Sequence, residues 1–186
     1  MVVPWNFKYG PGSGPNKEWD SNYCQYGVLE HAKRRYLRQS NVVVNVDIDE
    51  LVVKENDISL VDGVLASKDG AIRFSGSWVE TVQIDNQSER LPRFTDFKYK
   101  DIKKSKSLEK WAISPKRVDD KYQWQVHGFG GGFEPEISQD FVHRHYLGIN
   151  TNWKYNRTSI VDYDPATHEV DQKLEAALQQ AGFKNH

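Results

Sequence analysis

A chain of 186 residues is long enough to bury one sizeable core, and 1–186 reads as a single domain. Its 25 lysines and arginines balance 26 aspartates and glutamates, so no basic excess points to nucleic acid. No signal peptide is visible, no apolar run approaches the roughly 20 residues of a membrane span, and the single cysteine, Cys24, excludes an intramolecular disulfide and points to a reducing, cytoplasmic compartment.

The first residues, with Val2, Val3, Trp5 and Phe7, read as the end of a strand. Tyr9 to Lys17 is rich in Gly and Pro and lacks the Gly-Lys-Ser/Thr ending of a phosphate-binding loop, so it is a connector. A helix is predicted from Asp20 or Ser21, either a good N-cap, to Arg38. Gln25, Leu29, Ala32 and Tyr36 would form its buried face, with Arg34, Arg35 and Arg38 loading the end where the dipole favours cations.

Val42 to Val46 follows as a predicted central buried strand, short and rich in valine, that runs into Asp47, Asp49 and Glu50. In an extended segment Asp47 and Asp49 project to one side, which suits a shared hard cation with oxygen ligands. A solvated acidic turn is the plainer reading of the same residues. Glu50 would point the opposite way and bond locally.

Asp57 to Asp69 is turn-rich. Ala71 to Ile84 alternates as one bent strand or two, broken near Gly76. Phe97 to Lys100, Trp111 to Val118 and Tyr122 to His127 are further predicted strands. Lys98 to Lys110 is locally basic, either a solvated loop or a contact for a membrane surface or an anionic polymer. Gly128 to Phe133 carries three consecutive glycines, as a surface loop or a lid over a ligand. His143 and His145 would share a strand face, as metal ligands or as hydrogen-bonded histidines. His168 to Ala181 is predicted as a closing amphipathic helix.

Three blocks together resemble glycosyltransferases of the GT-A fold, in particular the family 92-like group (domain of unknown function 23). They are Cys24-Gln25 through Tyr36 with Val46-Asp47-Ile48-Asp49-Glu50-Leu51; Trp111 to Val118 with Trp124-Gln-Val-His127; and Phe141-Val-His143-Arg-His145-Tyr146 with Asn152-Trp153-Lys154-Tyr-Asn-Arg157. The resemblance implies an α/β fold, a GT-A-like mixed sheet with flanking helices, truncated at its N-terminus, since only forty-six residues precede Asp47. It implies Mn²⁺ or Mg²⁺ held by Asp47, Asp49 and His145, with His127 a weaker candidate. The cation would meet a nucleotide-sugar donor whose diphosphate is gripped by Lys154 and Arg157, two residues that otherwise read as exposed cations. A carbohydrate or glycan acceptor would stack on Trp78 and be deprotonated by Glu80, which otherwise reads as a solvated glutamate. The abundant aromatics (six Trp, nine Tyr, eight Phe) suit sugar faces or simply fill a core.

Two other readings stand beside this one. A truncated transferase would serve as a non-catalytic carbohydrate-binding or accessory module, self-associating through the edge around Val2, Val3, Trp5 and Phe7. A haloacid-dehalogenase-like phosphatase also places its nucleophile after a hydrophobic strand, with Asp119-Asp120 as the late acidic pair, although Glu50-Leu51 replaces the expected Gly-Thr continuation.

Overall fold

The computed structural model describes Pro4 and residues 25–82, 92–104, 106–149 and 161–183. The predicted N-cap at Asp20 or Ser21, the Gly/Pro connector, the N-terminal apolar segment, Cys24, Lys154 and Arg157 lie outside the described residues.

The fold is mixed α/β. In chain order the elements are α1 (Gln25–Ala32), β1 (Val43–Asn45), β2 (Glu50–Lys54), α2 (Leu60–Ala66), β3 (Ala71–Val79), β4 (Tyr99–Asp101), β5 (Ser107–Ile113), β6 (Trp124–Gln125), β7 (Gly128–Phe129), β8 (Phe141–Tyr146), β9 (His168–Val170) and α3 (Gln172–Gln180). Five strands form one sheet in the order β1-β5-β3-β8-β2, while β4 pairs with β9 and β6 with β7. The β3–β8 pair is parallel and the other pairs of the large sheet are antiparallel. Among the described residues no helix is long and apolar enough to cross a membrane.

β1 and β2 are neighbours in sequence but occupy opposite edges of this sheet. A flat sheet of this width would separate its outer strands by about 19 Å, from four spacings of about 4.8 Å. The chain from Asn45 to Glu50 reaches at most about 18 Å when fully extended. It is not extended, because Glu50 N–H donates to the Asp47 carbonyl at 3.1 Å and closes a turn. The sheet must therefore curl, and the Asp47–Asp49 turn bridges its mouth. The valine run is an edge strand rather than a central one, and the two aspartates sit in a turn rather than an extended segment.

The valine run is apolar for a reason other than a central position. Val42 and Val46 pack toward the cluster of Val64, Ile72, Phe74, Ala112 and Phe141 beneath α2. Val43 packs on the opposite face with Ala71, Trp111, Ile113, Trp124 and Phe129, joined by Leu29 and Leu37. An edge strand covered on both faces reads like a central one. A third cluster, Val53, Val79, Phe97, Tyr146, Leu174 and Leu178, seats α3 on the far half of the second face.

Local chemistry explains the remaining departures. The segment from Asp57 to Asp69 contains α2, capped by Ser59, whose Oγ accepts the Asp62 N–H at 3.1 Å. Gly63 sits inside α2 because a Cβ there would stand 2.7 Å from the Phe141 ring. After α1 the chain makes a π turn, Lys33–Leu37, which rotates the following residues out of the 3.6-residue phase. Lys33 therefore turns inward, donating to the carbonyls of Asp120 at 2.8 Å and Tyr122 at 2.7 Å, while Tyr36 stays exposed. The strand predicted at Trp111 to Val118 begins earlier, at Ser107. The two-residue strand β6 stands for the predicted Tyr122 to His127, and β4 for Phe97 to Lys100. His168–Val170 is a strand and the last helix starts only at Gln172, because Asp171 caps it by accepting the Leu174 N–H at 3.1 Å.

Candidate metal centre

Strand periodicity places Phe141, His143 and His145 of β8 on one sheet face. On that face α2 covers the apolar end, around Phe141 and Phe74, and the polar end lies beneath the bridging turn. The register puts Glu50 of β2 on one side of His145 and Trp78 of β3 on the other. The Trp78 and His145 rings lie 4.5 Å apart at 34°. One step along, His143 pairs with Gly76. Because Gly76 has no side chain, the His143 ring crosses over it and its Nε2 meets Ser107 Oγ of β5 at 3.0 Å. A Cβ on Gly76 would stand 1.8 Å from that oxygen and 2.2 Å from that nitrogen.

The turn delivers its carboxylates to different strands. Asp49 reaches His145 of β8, with Oδ2 3.4 Å from Nε2, and its carbonyl accepts the Tyr146 N–H at 2.9 Å, which fixes the turn. Asp47 reaches β5 instead, where Lys110 Nζ donates to its Oδ2 at 2.7 Å. Glu50 lies at the centre with its side chain 1% exposed. Its Oε2 accepts the Asp47 N–H at 2.8 Å and faces Lys110 Nζ at 3.3 Å. Its Oε1 stands 3.2 Å from His145 Nδ1 and 3.6 Å from His143 Nε2, yet has no aligned hydrogen-bond donor. Glu50 does bond locally, but it points into this cluster rather than away from it, because β2 begins only at Glu50 and the preceding turn breaks the alternation.

The electrostatics follow from burial beneath fixed charges. Burial pushes the Asp49 carboxyl up, but the His145 hydrogen bond and charge, a bond to its own backbone and the charge of Lys110 outweigh it, and the pKa falls below the ordinary value. Burial dominates at Glu50 and raises it despite Lys110 and the Asp47 N–H. His143 is pushed down to about 3, first by burial and then by the charges of Lys110 and His145, so its imidazole is neutral near pH 7. Glu50, His143 and His145 each bring one ligating atom within 4.8 Å of the others.

The remaining predicted residues lie near this cluster or beyond the described chain. Trp78 flanks His145. Glu80 is buried just past the end of β3, where Lys104 Nζ meets its Oε1 at 2.7 Å and stands 5.9 Å above the Trp78 ring. His127 Nδ1 lies 3.2 Å from the Glu109 carbonyl. Sequence alone marked Lys110 only as the end of a basic stretch and Gly76 only as a strand break, and gave neither of them, nor Ser107, a place in the site. Lys110 carried a signal, a lysine directly before the apolar run Trp111-Ala-Ile, whereas Ser107 and Gly76 have roles that only the sheet register reveals.

Comparison with protein-family models and with curated proteins finds no match to this chain.

Proposed function

We propose that the chain is a metal-dependent glycosyltransferase domain that moves a sugar from a nucleotide-sugar donor to a carbohydrate acceptor. One observation carries this reading. Asp49 and His145, distant in sequence, meet at 3.4 Å beneath the turn that also presents Asp47 at the sheet mouth. A carboxylate held ionised and an imidazole nitrogen facing it form a donor pair suited to Mn²⁺, the two carboxylates alone would serve Mg²⁺, and Asp47, its side chain 44% exposed, is the neighbouring oxygen ligand open to solvent. When bound, such a cation supplies charge neutralisation for the donor's departing diphosphate.

The chain's own residues do the rest in this reading. Lys110 holds Asp47 and Glu50 at fixed positions, so the turn keeps its shape without a ligand. Lys154 and Arg157 supply cationic grips for the diphosphate. Trp78 flanks the acceptor, and Glu80 takes the acceptor proton once Lys104 has swung away from its carboxylate.

The test is release of nucleoside diphosphate from a panel of nucleotide sugars, with Mn²⁺ and with a chelator. Turnover of at least one donor should require the cation and fall about 100-fold or more in Asp49→Ala and His145→Ala. Metal-independent turnover, or no turnover and no binding of any donor, would defeat the reading.

A further inference from the structure

We infer that Glu50, His143 and His145 form a second cation seat, a buried site for a borderline transition metal of the Zn²⁺ class, on the Nδ1 side of His145 and separate from the Asp49 seat at its Nε2. The donor set is two imidazoles and one carboxylate, the chemistry such ions take, rather than the all-oxygen set of Mg²⁺ or Ca²⁺.

The distances between the three donors are those of ligands around one ion. Ligands about 2.0–2.1 Å from a tetrahedral zinc are about 3.3 Å from one another. Glu50 Oε1 stands 3.2 Å from His145 Nδ1 and 3.6 Å from His143 Nε2, and one ligating atom from each of the three residues lies within 4.8 Å of the other two. At these distances Oε1 still lacks an aligned donor, although the Glu50 side chain is only 1% exposed. A buried carboxylate oxygen without a partner is costly, and a cation among the three donors would satisfy it.

The surroundings hold the ligands as metal sites require. Lys110 and the Asp47 N–H both engage Glu50 Oε2, which leaves Oε1 as the free oxygen. Gly76 leaves the space in which the His143 ring lies, and Ser107 Oγ, 3.0 Å from Nε2, gives up that contact when the nitrogen ligates. His145, with its side chain 13% exposed, is the side from which an ion enters. Three protein ligands leave one position open.

This seat has a consequence for the Asp49 seat, which rests on the proposed transferase reading. A neutral imidazole has one lone pair. When Nδ1 of His145 ligates in the buried seat, Nε2 carries the proton and donates to Asp49 instead of ligating beside it. The two seats compete for one histidine, so Zn²⁺ should inhibit any Mn²⁺-dependent reaction.

The test uses metal-stripped full chain titrated with Co²⁺ as the spectroscopic probe and Zn²⁺ as competitor. Visible d–d absorption of tetrahedral intensity, removed by Zn²⁺, is expected. Glu50→Gln and His143→Gln should each weaken binding about 100-fold or more, while Asp49→Asn should leave it within roughly threefold. Binding lost in Asp49→Asn but kept in His143→Gln, or no binding at millimolar Zn²⁺, would overturn the inference. Should the variants unfold, ¹⁵N-histidine spectra of the wild-type chain still decide. Zinc must move His143 Nε2 and His145 Nδ1, and a shift at His145 Nε2 instead refutes the site. None of these readouts depends on sugar transfer, so failure of the transferase reading would leave them intact.

Discussion

Gly76→Ala is the substitution whose effect the packing defines most sharply. The added methyl would stand 1.8 Å from Ser107 Oγ and 2.2 and 2.3 Å from Nε2 and Cε1 of His143. Neither neighbour can retreat easily, since His143 is 0% and Ser107 5% exposed. Overpacking of this kind costs about 1–3 kcal/mol. Parting Ser107 from His143 leaves a buried polar group without its partner, for about 1–3 kcal/mol more. The lower chain entropy of alanine in the unfolded state returns less than about 1 kcal/mol. The sum is about 3 kcal/mol, or roughly 6–12 °C in Tm for a chain of this length. Urea denaturation should show the midpoint falling at unchanged m-value. Gly128→Ala is the matched control, because nothing lies within 4 Å of its added Cβ, and it should stay within about 0.5 kcal/mol. If Gly76→Ala matches that control, the register that brings His143 over Gly76 is wrong.

Acid should destabilise the metal-free protein through His143, whose folded pKa of about 3 lies below the ordinary imidazole value of 6.5. Between those values the unfolded chain holds the extra proton, so stability falls as pH drops through the window, by about 1.4 kcal/mol per unit. Glu50, raised in the fold, titrates in the opposite sense, so the slope difference between wild type and His143→Gln is the diagnostic quantity, and equal slopes would contradict the assignment. Lys110→Met should cost about 3–5 kcal/mol by denaturant titration, because it strands the buried Glu50 carboxylate and frees Asp47; a loss under about 1 kcal/mol would show the lysine to be a bystander. Asp171→Ala removes both the α3 cap and the buried partner of Arg144, whose Nε donates to Oδ2 at 2.5 Å, so hydrogen exchange in α3 should accelerate together with a global loss of several kcal/mol. Unchanged protection of the Leu174 and Glu175 amides would show that the cap does not hold the helix.

What the sequence could reveal depended on how local each cause was. The alternation that puts His143 and His145 on one face is a property of three consecutive residues, and the structure keeps it. The pairing of Asp49 with His145 was legible only as a family resemblance, since nothing in either segment specifies contact with the other. The position of β1 was misread because covering by α2 on one face and the tryptophan cluster on the other gives an edge strand the composition of a central one. The extended reading of Asp47 to Glu50 failed because the chain must span the sheet mouth, a constraint that appears only once β2 is known to pair with β8. α2 was hidden by its seven-residue length and internal glycine, whose purpose is contact with Phe141. Glu50 shows the same limit most clearly. That it would bond locally was expected without a named partner, whereas its bond to the Asp47 N–H comes from the turn and its approach to two histidines from register across β2, β8 and β3.

Anomalous scattering at the manganese edge, from crystals grown with Mn²⁺ and a nucleoside diphosphate, tests the central claim most directly. A single strong peak within bonding distance of an Asp49 carboxylate oxygen and His145 Nε2, with diphosphate oxygens among its ligands, is the expected result. A manganese peak enclosed by Glu50, His143 and His145 with no diphosphate beside it, or no peak at the mouth of the sheet at saturating Mn²⁺, would contradict it.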